Sequence, residues 1–235
     1  MTTAFGQFLE YSLPTPDIRA SLEFYRGLGF TEIPVGDIRD YHYAVISDGR
    51  IALGLHGAGF QEPALSFVKN DVAVSMDSLE IHEDTISFMR LGAESFHEIG
   101  VQSPDGHLVV MMEARTFSRA DLTELALPVI GQISEISLGC RDLDAEHRFW
   151  SKAGFIAGEE ADEEAFDQVL ELLAPGLCLG LRTEVPAGRS VLRLIAGDEP
   201  DVVAALERLE IPIRRSAGMI SIDAPEGTRI QIVTT

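Results

Sequence analysis

Two carboxylates stand in apolar company. Glu10 lies in the β-compatible stretch 8–13, and Glu135 lies in the matching stretch 125 residues later. A carboxylate withdrawn from water has its pKa raised, which suits it to abstract a proton. Otherwise it needs a cation or hydrogen-bond donors beside it, or it contacts a ligand. All three roles stay open for both residues. His56 ends the run Ala52-Leu53-Gly54-Leu55-His56, and Tyr43 sits in the preceding run 41–46. The two can make a polar end to a pocket, or His56 can meet solvent or a backbone carbonyl at a strand end. Arg182 ends a similar run, Cys178-Leu179-Gly180-Leu181-Arg182, and is the natural cationic partner for Glu135.

Other chemistry is thin. His42, His82, His97, His107 and His147 show no ligand spacing. Cys140 and Cys178 make neither a disulfide framework nor a zinc knuckle. No phosphate loop, dinucleotide-binding glycine fingerprint or nucleophile elbow occurs. Met111, Met112 and Trp150 read as core, although a methionine also suits an adaptable apolar pocket.

The formal net charge is -20 and the pI about 4.5. Such a chain lacks the clustered Lys and Arg that nucleic acid or an anionic membrane requires. The acidity favours solubility, including in a salty cytoplasm, and the run Glu159, Glu160, Asp162, Glu163, Glu164 reads as a solvated loop. Residues 1–12 show no basic region followed by a long apolar stretch, and no apolar run approaches the roughly 18 residues of a membrane helix. The expectation is a cytoplasmic protein, monomeric or homodimeric, whose partner is a small organic molecule.

An internal repeat positions these residues. Glu10, Ser12, Leu13, Asp17, Phe24, Tyr25, Gly29 and Phe30 meet Glu135, Ser137, Leu138, Asp142, Phe149, Trp150, Gly154 and Phe155 at a constant shift of 125. Pro104-Asp105-Gly106 later answers Pro225-Glu226-Gly227. Each unit reads as strand, helix, then strands. Thr15-Pro16-Asp17 opens a helix, with Thr15 as the capping hydroxyl and Pro16 at the first helical position. Ile18, Leu22, Tyr25 and Leu28 continue it at helical spacing and Gly29 stops it. Ser47-Asp48-Gly49 joins a hairpin. A second half of similar design follows. It has a strand at 64–68, a helix ending near Leu91-Gly92 and a strand to Met112. The later counterpart has a strand at 191–195, a helix through Val202, Leu206 and Leu209, and a strand at 229–233. The piece 119–127 predicts a short helix before Pro128. The stretch 165–173 has helical periodicity, but the repeat makes it a strand.

This order of elements, with Asp–helix–Phe-Tyr–Gly-Phe and the late Pro-Asp-Gly, resembles the vicinal oxygen chelate superfamily of glyoxalases, bleomycin-resistance proteins and extradiol dioxygenases. The resemblance covers nearly the whole chain. It implies an α+β fold of paired βαβββ modules whose curved mixed sheets form cups. Two tandem lobes are expected, at residues 1–117 and 131–235, with a linker at 118–130. The layout is similar to that of extradiol ring-cleaving dioxygenases, although this chain is shorter. It also implies that Glu10 and Glu135 face the cups.

Active members of the superfamily hold a divalent metal there. The positions that the resemblance assigns to ligands carry Glu10, Gly54, Ala64 or Leu65, and Val110 in the first lobe. The second lobe has Glu135, Gly180 and Gln231. A catalytic site needs at least three protein ligands, so no cofactor is expected, with Fe, Mn, Ni or Zn as the alternative. His56, two residues beyond Gly54, shares its strand face. The ligand-binding candidates are Glu10, Tyr43, Gly54, His56, Val110, Met112, Glu135, Arg182 and Gln231. The first lobe is favoured because Arg182 can neutralise Glu135. Three functions stay open: metal-free binding of a small molecule, an enzyme of the superfamily (dioxygenase, lyase or isomerase, with Glu10 or Glu135 as candidate bases), and a regulatory or assembly module with vestigial cups.

Overall fold

The structure is a computed structural model that describes residues 2–34, 40–72, 83–92, 97–117, 122, 124–158, 169–216 and 218–234. His82, the acidic run and residues 165–168 lie outside the described residues.

The first half contains β1 (Gln7–Pro14), α1 (Ile18–Gly27), β2 (Thr31–Ile33), β3 (Tyr43–Ser47), β4 (Ala52–His56), β5 (Ala64–Lys69), β6 (Ile86–Arg90), β7 (Glu98–Gln102) and β8 (Leu108–Glu113). The second contains β9 (Gln132–Gly139), α2 (Leu143–Lys152), β10 (Ile156–Ala157), β11 (Val169–Ala174), β12 (Leu177–Arg182), β13 (Ser190–Ala196), α3 (Glu199–Arg208), β14 (Arg214–Ser216), β15 (Met219–Asp223) and β16 (Arg229–Thr234). They form two mixed eight-stranded sheets of the same order, β2-β3-β4-β1-β5-β8-β7-β6 and β10-β11-β12-β9-β13-β16-β15-β14. Glu10 and Glu135 each occupy the fourth position of an eight-residue strand.

The repeat reaches down to the caps. Asp17 and Asp142 are the N-caps, accepting from Ala20 N at 3.0 Å and Ala145 N at 2.9 Å. Thr15 is therefore not the cap: its hydroxyl donates to Leu13 O, and Pro16 precedes the helix. The carboxylate two residues on reaches the orphan amides better than the hydroxyl can. At the other end Gly29 and Gly154 take φ +98° and +91°. Phe30 N then donates to Tyr25 O and Phe155 N to Trp150 O, closing a Schellman turn on each helix.

Two further expectations are corrected. Ile86–Arg90 is a strand, not the end of a helix. Its β-branched and aromatic side chains pair with β7, and the ring of Phe88 covers Gly100, where an added Cβ would come within 2.3 Å. Of the helix expected at 119–127, residues 119–121 and 123 lie outside the described residues, and 122 and 124–127 are not helical, with Leu125 N donating to Leu122 O. The described part of 165–173 is strand β11, as the repeat requires. Among the described residues, no helix is long and apolar enough to cross a membrane.

By packing, the chain divides into two compact units. One comprises Met1–Glu10, Pro63–Arg119 and Ser137–Arg189, and the other Tyr11–Glu62, Ala120–Ile136 and Ser190–Thr235. The first centres on an aromatic cluster in which Phe5 touches Phe67, Phe149 and Trp150. In the second, α1 packs on β3 and β4 and buries Ser21, Tyr25 and Leu28.

Candidate functional site

The β3–β4 hairpin sets the register of the most developed polar cluster. Asp48 in its turn is fully buried, and its Oδ1 accepts from Arg50 N at 2.9 Å and Ile51 N at 2.7 Å. Its Oδ2 accepts from Ile133 N at 2.5 Å. A carboxylate satisfied by three amides locks the turn. Tyr43 is thereby placed opposite His56, and Val45 opposite Gly54.

His56 is 1% exposed and surrounded by rings. Its centroid lies 4.6 Å from that of Tyr43, 4.4 Å from Phe60 and 5.9 Å from Tyr41. Nδ1 is 3.0 Å from the Tyr41 hydroxyl, and the backbone oxygen accepts from Thr15 N at 2.7 Å. Gly59 makes room for Tyr41: with φ +85° it tolerates a hydroxyl that an added Cβ would meet at 2.8 Å. His56 is thus no solvent-facing strand end. It is a hydrogen-bonding imidazole in an aromatic enclosure, able to donate or accept according to its tautomer. Tyr41 and Phe60 were missed by the sequence reading. Tyr41 had a signal, because it alternates with Tyr43 across His42, whereas Phe60 lies past the strand, where periodicity says nothing.

The remaining candidates are placed as follows. Glu10 is buried in β1 and Glu135 in β9, and each has interacting neighbours. Gly54 is buried, beside Ser12 of β1. Val110 and Met112 are buried along one face of β8, paired with Ser66 and Val68 of β5. Arg182, at the end of β12, makes an ion pair with Glu184 at 3.3 Å. Gln231, half-buried in β16, accepts from Arg193 Nη2 at 3.2 Å.

Most positions that the resemblance assigns to ligands carry no side-chain donor for a divalent ion. Gly54 and Gly180 offer no donor, and Val110 and Ala64 are buried hydrocarbon. The oxygen of Gln231 is engaged by a guanidinium, and a second cation at that oxygen would be repelled. Among the described residues, no three His, Cys, Asp or Glu side chains come together as a metal site.

Two same-order mixed sheets built from a duplicated strand–helix–strands unit define the vicinal oxygen chelate fold, and the chain has that fold. Within it, the chain is similar to solved extradiol dioxygenases. A catechol 2,3-dioxygenase aligns at TM-score 0.62 and 12% identity, over 100% of this chain and 89% of that one. A variant of homoprotocatechuate 2,3-dioxygenase from Brevibacterium fuscum aligns at 0.65 and 14%, over 100% and 72%. The 2,2',3-trihydroxybiphenyl 1,2-dioxygenase of Sphingomonas wittichii aligns at 0.62 and 15%, over 98% and 90%. No protein-family model and no curated protein sequence matches the chain.

Proposed function

We propose that this chain binds a small, mostly apolar organic molecule at the His56 cluster, without the divalent ion that the resemblance associates with the fold. The observation that carries the reading is the buried imidazole held by Tyr41 and enclosed by Tyr43 and Phe60. An apolar pocket with a few placed polar groups is how proteins hold such ligands. A groove of about 530 Å³ opens beside Tyr43, with Ile18 and Leu22 and the charged side chains of Arg19, Glu23, Arg26 and Glu32 in its lining; Tyr43 is the residue it shares with the His56 cluster. Glu135 and, separately, Arg182 are the further candidates.

An enzyme of the superfamily is the competing reading, supported by the ring-cleaving dioxygenases among the structural neighbours. Fold alone does not decide between them. The test is a thermal-shift screen with phenols, catechols and aromatic amines, alongside elemental analysis of protein purified without chelator. A ligand of the folded state raises the melting temperature by mass action. The binding reading expects hits that His56→Ala and Tyr41→Phe weaken, and no stoichiometric Fe, Mn, Ni or Zn. Near-molar metal that is lost on changing Glu10 or Glu135 to Gln would overturn it in favour of an enzyme. Hits abolished only by Glu135→Gln or Arg182→Ala would move the site to the second repeat. No hit and no metal would leave the assembly module.

A further inference from the structure

Helices α1 and α2 are equivalent in the repeat, yet they bury opposite chemistry. Where α1 carries Ser21 and Tyr25, α2 carries Glu146 and Trp150. Glu146 is fully buried. Its Oε1 accepts from the Ser103 hydroxyl and from Asp105 N, each at 2.7 Å, and its Oε2 accepts from Trp150 Nε1 at 2.7 Å. Asp105, in the Pro104-Asp105-Gly106 turn, in turn accepts from Arg141 N at 2.8 Å, just before α2. In the other compact unit the carboxylate sits on the opposite partner. Glu226, from the Pro225-Glu226-Gly227 turn, accepts from the Tyr25 hydroxyl at 2.7 Å and from the Ser21 hydroxyl at 2.7 Å. Each helix therefore meets the Pro–acid–Gly turn of the other repeat. The carboxylate that meets the facing side chains is on the helix in one unit, Glu146, with Asp105 of the turn directed to the amides before α2, and on the turn in the other, Glu226.

We infer that this inversion is a pairing code: it specifies which half of one repeat packs against which half of the other. In the exchanged pairing, α2 on the 225–227 turn would bury Glu146 against Glu226, and Ala224 stands where Ser103 supplies its hydroxyl. Two carboxylates at hydrogen-bond distance cannot both stay ionised, and the one that does loses its donors. The exchanged partner of α1, the 103–106 turn, offers Ser21 and Tyr25 only Asp105, one methylene shorter than the Glu226 whose two oxygens serve both hydroxyls. Buried donors left without acceptors are costly. The Tyr25 phenol is suited to its role as donor: burial, and then the nearby Glu226, push its pKa well up.

The test uses the full chain. Ser21→Glu sets a second carboxylate against Glu226, and Ser21→Gln controls for the added volume. The expected result is a fall in melting temperature of roughly 10 °C for Glu and clearly less for Gln. Ser21→Glu, Tyr25→Trp, Ala224→Ser and Glu226→Asp together transplant the α2 arrangement onto α1, and should recover at least half of the loss. Equal losses for Glu and Gln, or a transplant no more stable than Ser21→Glu alone, would overturn the inference. If Ser21→Glu does not fold, the double variant Ser21→Glu/Glu226→Gln must fold, and its failure overturns the inference equally.

Discussion

His97 donates from both ring nitrogens when charged: Nδ1 faces Glu113 Oε2 at 3.1 Å and Nε2 faces Gly92 O at 3.1 Å. The Glu113 hydrogen bond, then that to Gly92, raises the His97 pKa, and Asp71 adds to it. The same hydrogen bond, then the one from Val72 N, lowers that of Glu113, with Arg115 contributing. A raised histidine stabilises the fold below its unfolded pKa, and this is lost as pH rises through the folded value. A lowered glutamate stabilises above its unfolded pKa, and this is lost as pH falls through the folded value. The pair is therefore fully engaged between about pH 5 and pH 6.5. Melting temperatures of the protein and of His97→Asn should differ most in that window and converge as the pH rises above it; a gap that widens with pH would contradict the pairing. Residues of this kind were only partly legible. A sequence shows that Glu10 and Glu135 stand in apolar strands, because strand periodicity is local. It does not show that Glu146 collects three donors, because Ser103 and Asp105 come from another part of the chain.

Helix boundaries were legible where the chemistry is local and misread where two local signals compete. Gly29 and Gly154 announced both Schellman turns. Thr15 and Asp17 compete for the cap in the sequence because Ser, Thr and Asp all cap, and only geometry decides among them. Residues 86–90 became a strand because pairing with β7 outweighs a weak helical pattern. The two glycines also make an element-scale prediction. At positive φ an alanine costs about 1–2 kcal/mol at either site. Gly29 carries a second penalty, since an added Cβ would lie 3.0 Å from the Pro128 Cα, whereas at Gly154 the nearest atom is Thr3 Cα at 3.9 Å. Gly29→Ala should therefore lower the melting temperature more than Gly154→Ala, by scanning calorimetry. Equal or reversed losses would mean that Pro128 yields freely.

At the scale of the whole chain, the repeat made the equivalence of the two halves legible in advance, since self-similarity at a fixed shift reports equivalent elements. It could not reveal the compact units, because equivalence is not partnership. Nothing in the alignment of Ser21 with Glu146 says that each faces a turn of the other repeat. Charge is the other property visible at this scale. A net -20 on 235 residues repels itself, and the repulsion acts over distances that salt screens. Exposed ion pairs such as Arg19–Glu23 and Arg229–Asp223 pull the other way, because salt weakens them too. Each contributes little, and acts at contact range, where screening is least effective. The long-range repulsion should win. Raising NaCl from about 10 mM to about 500 mM, which shortens the screening length from roughly 30 Å to below 8 Å, should raise the melting temperature at pH 7. Sodium chloride and potassium chloride should act alike, because screening depends on ionic strength and not on a bound ion. A flat or falling melting temperature would show that attractive pairs dominate. A rise specific to one cation would point instead to a discrete ion site on the folded chain.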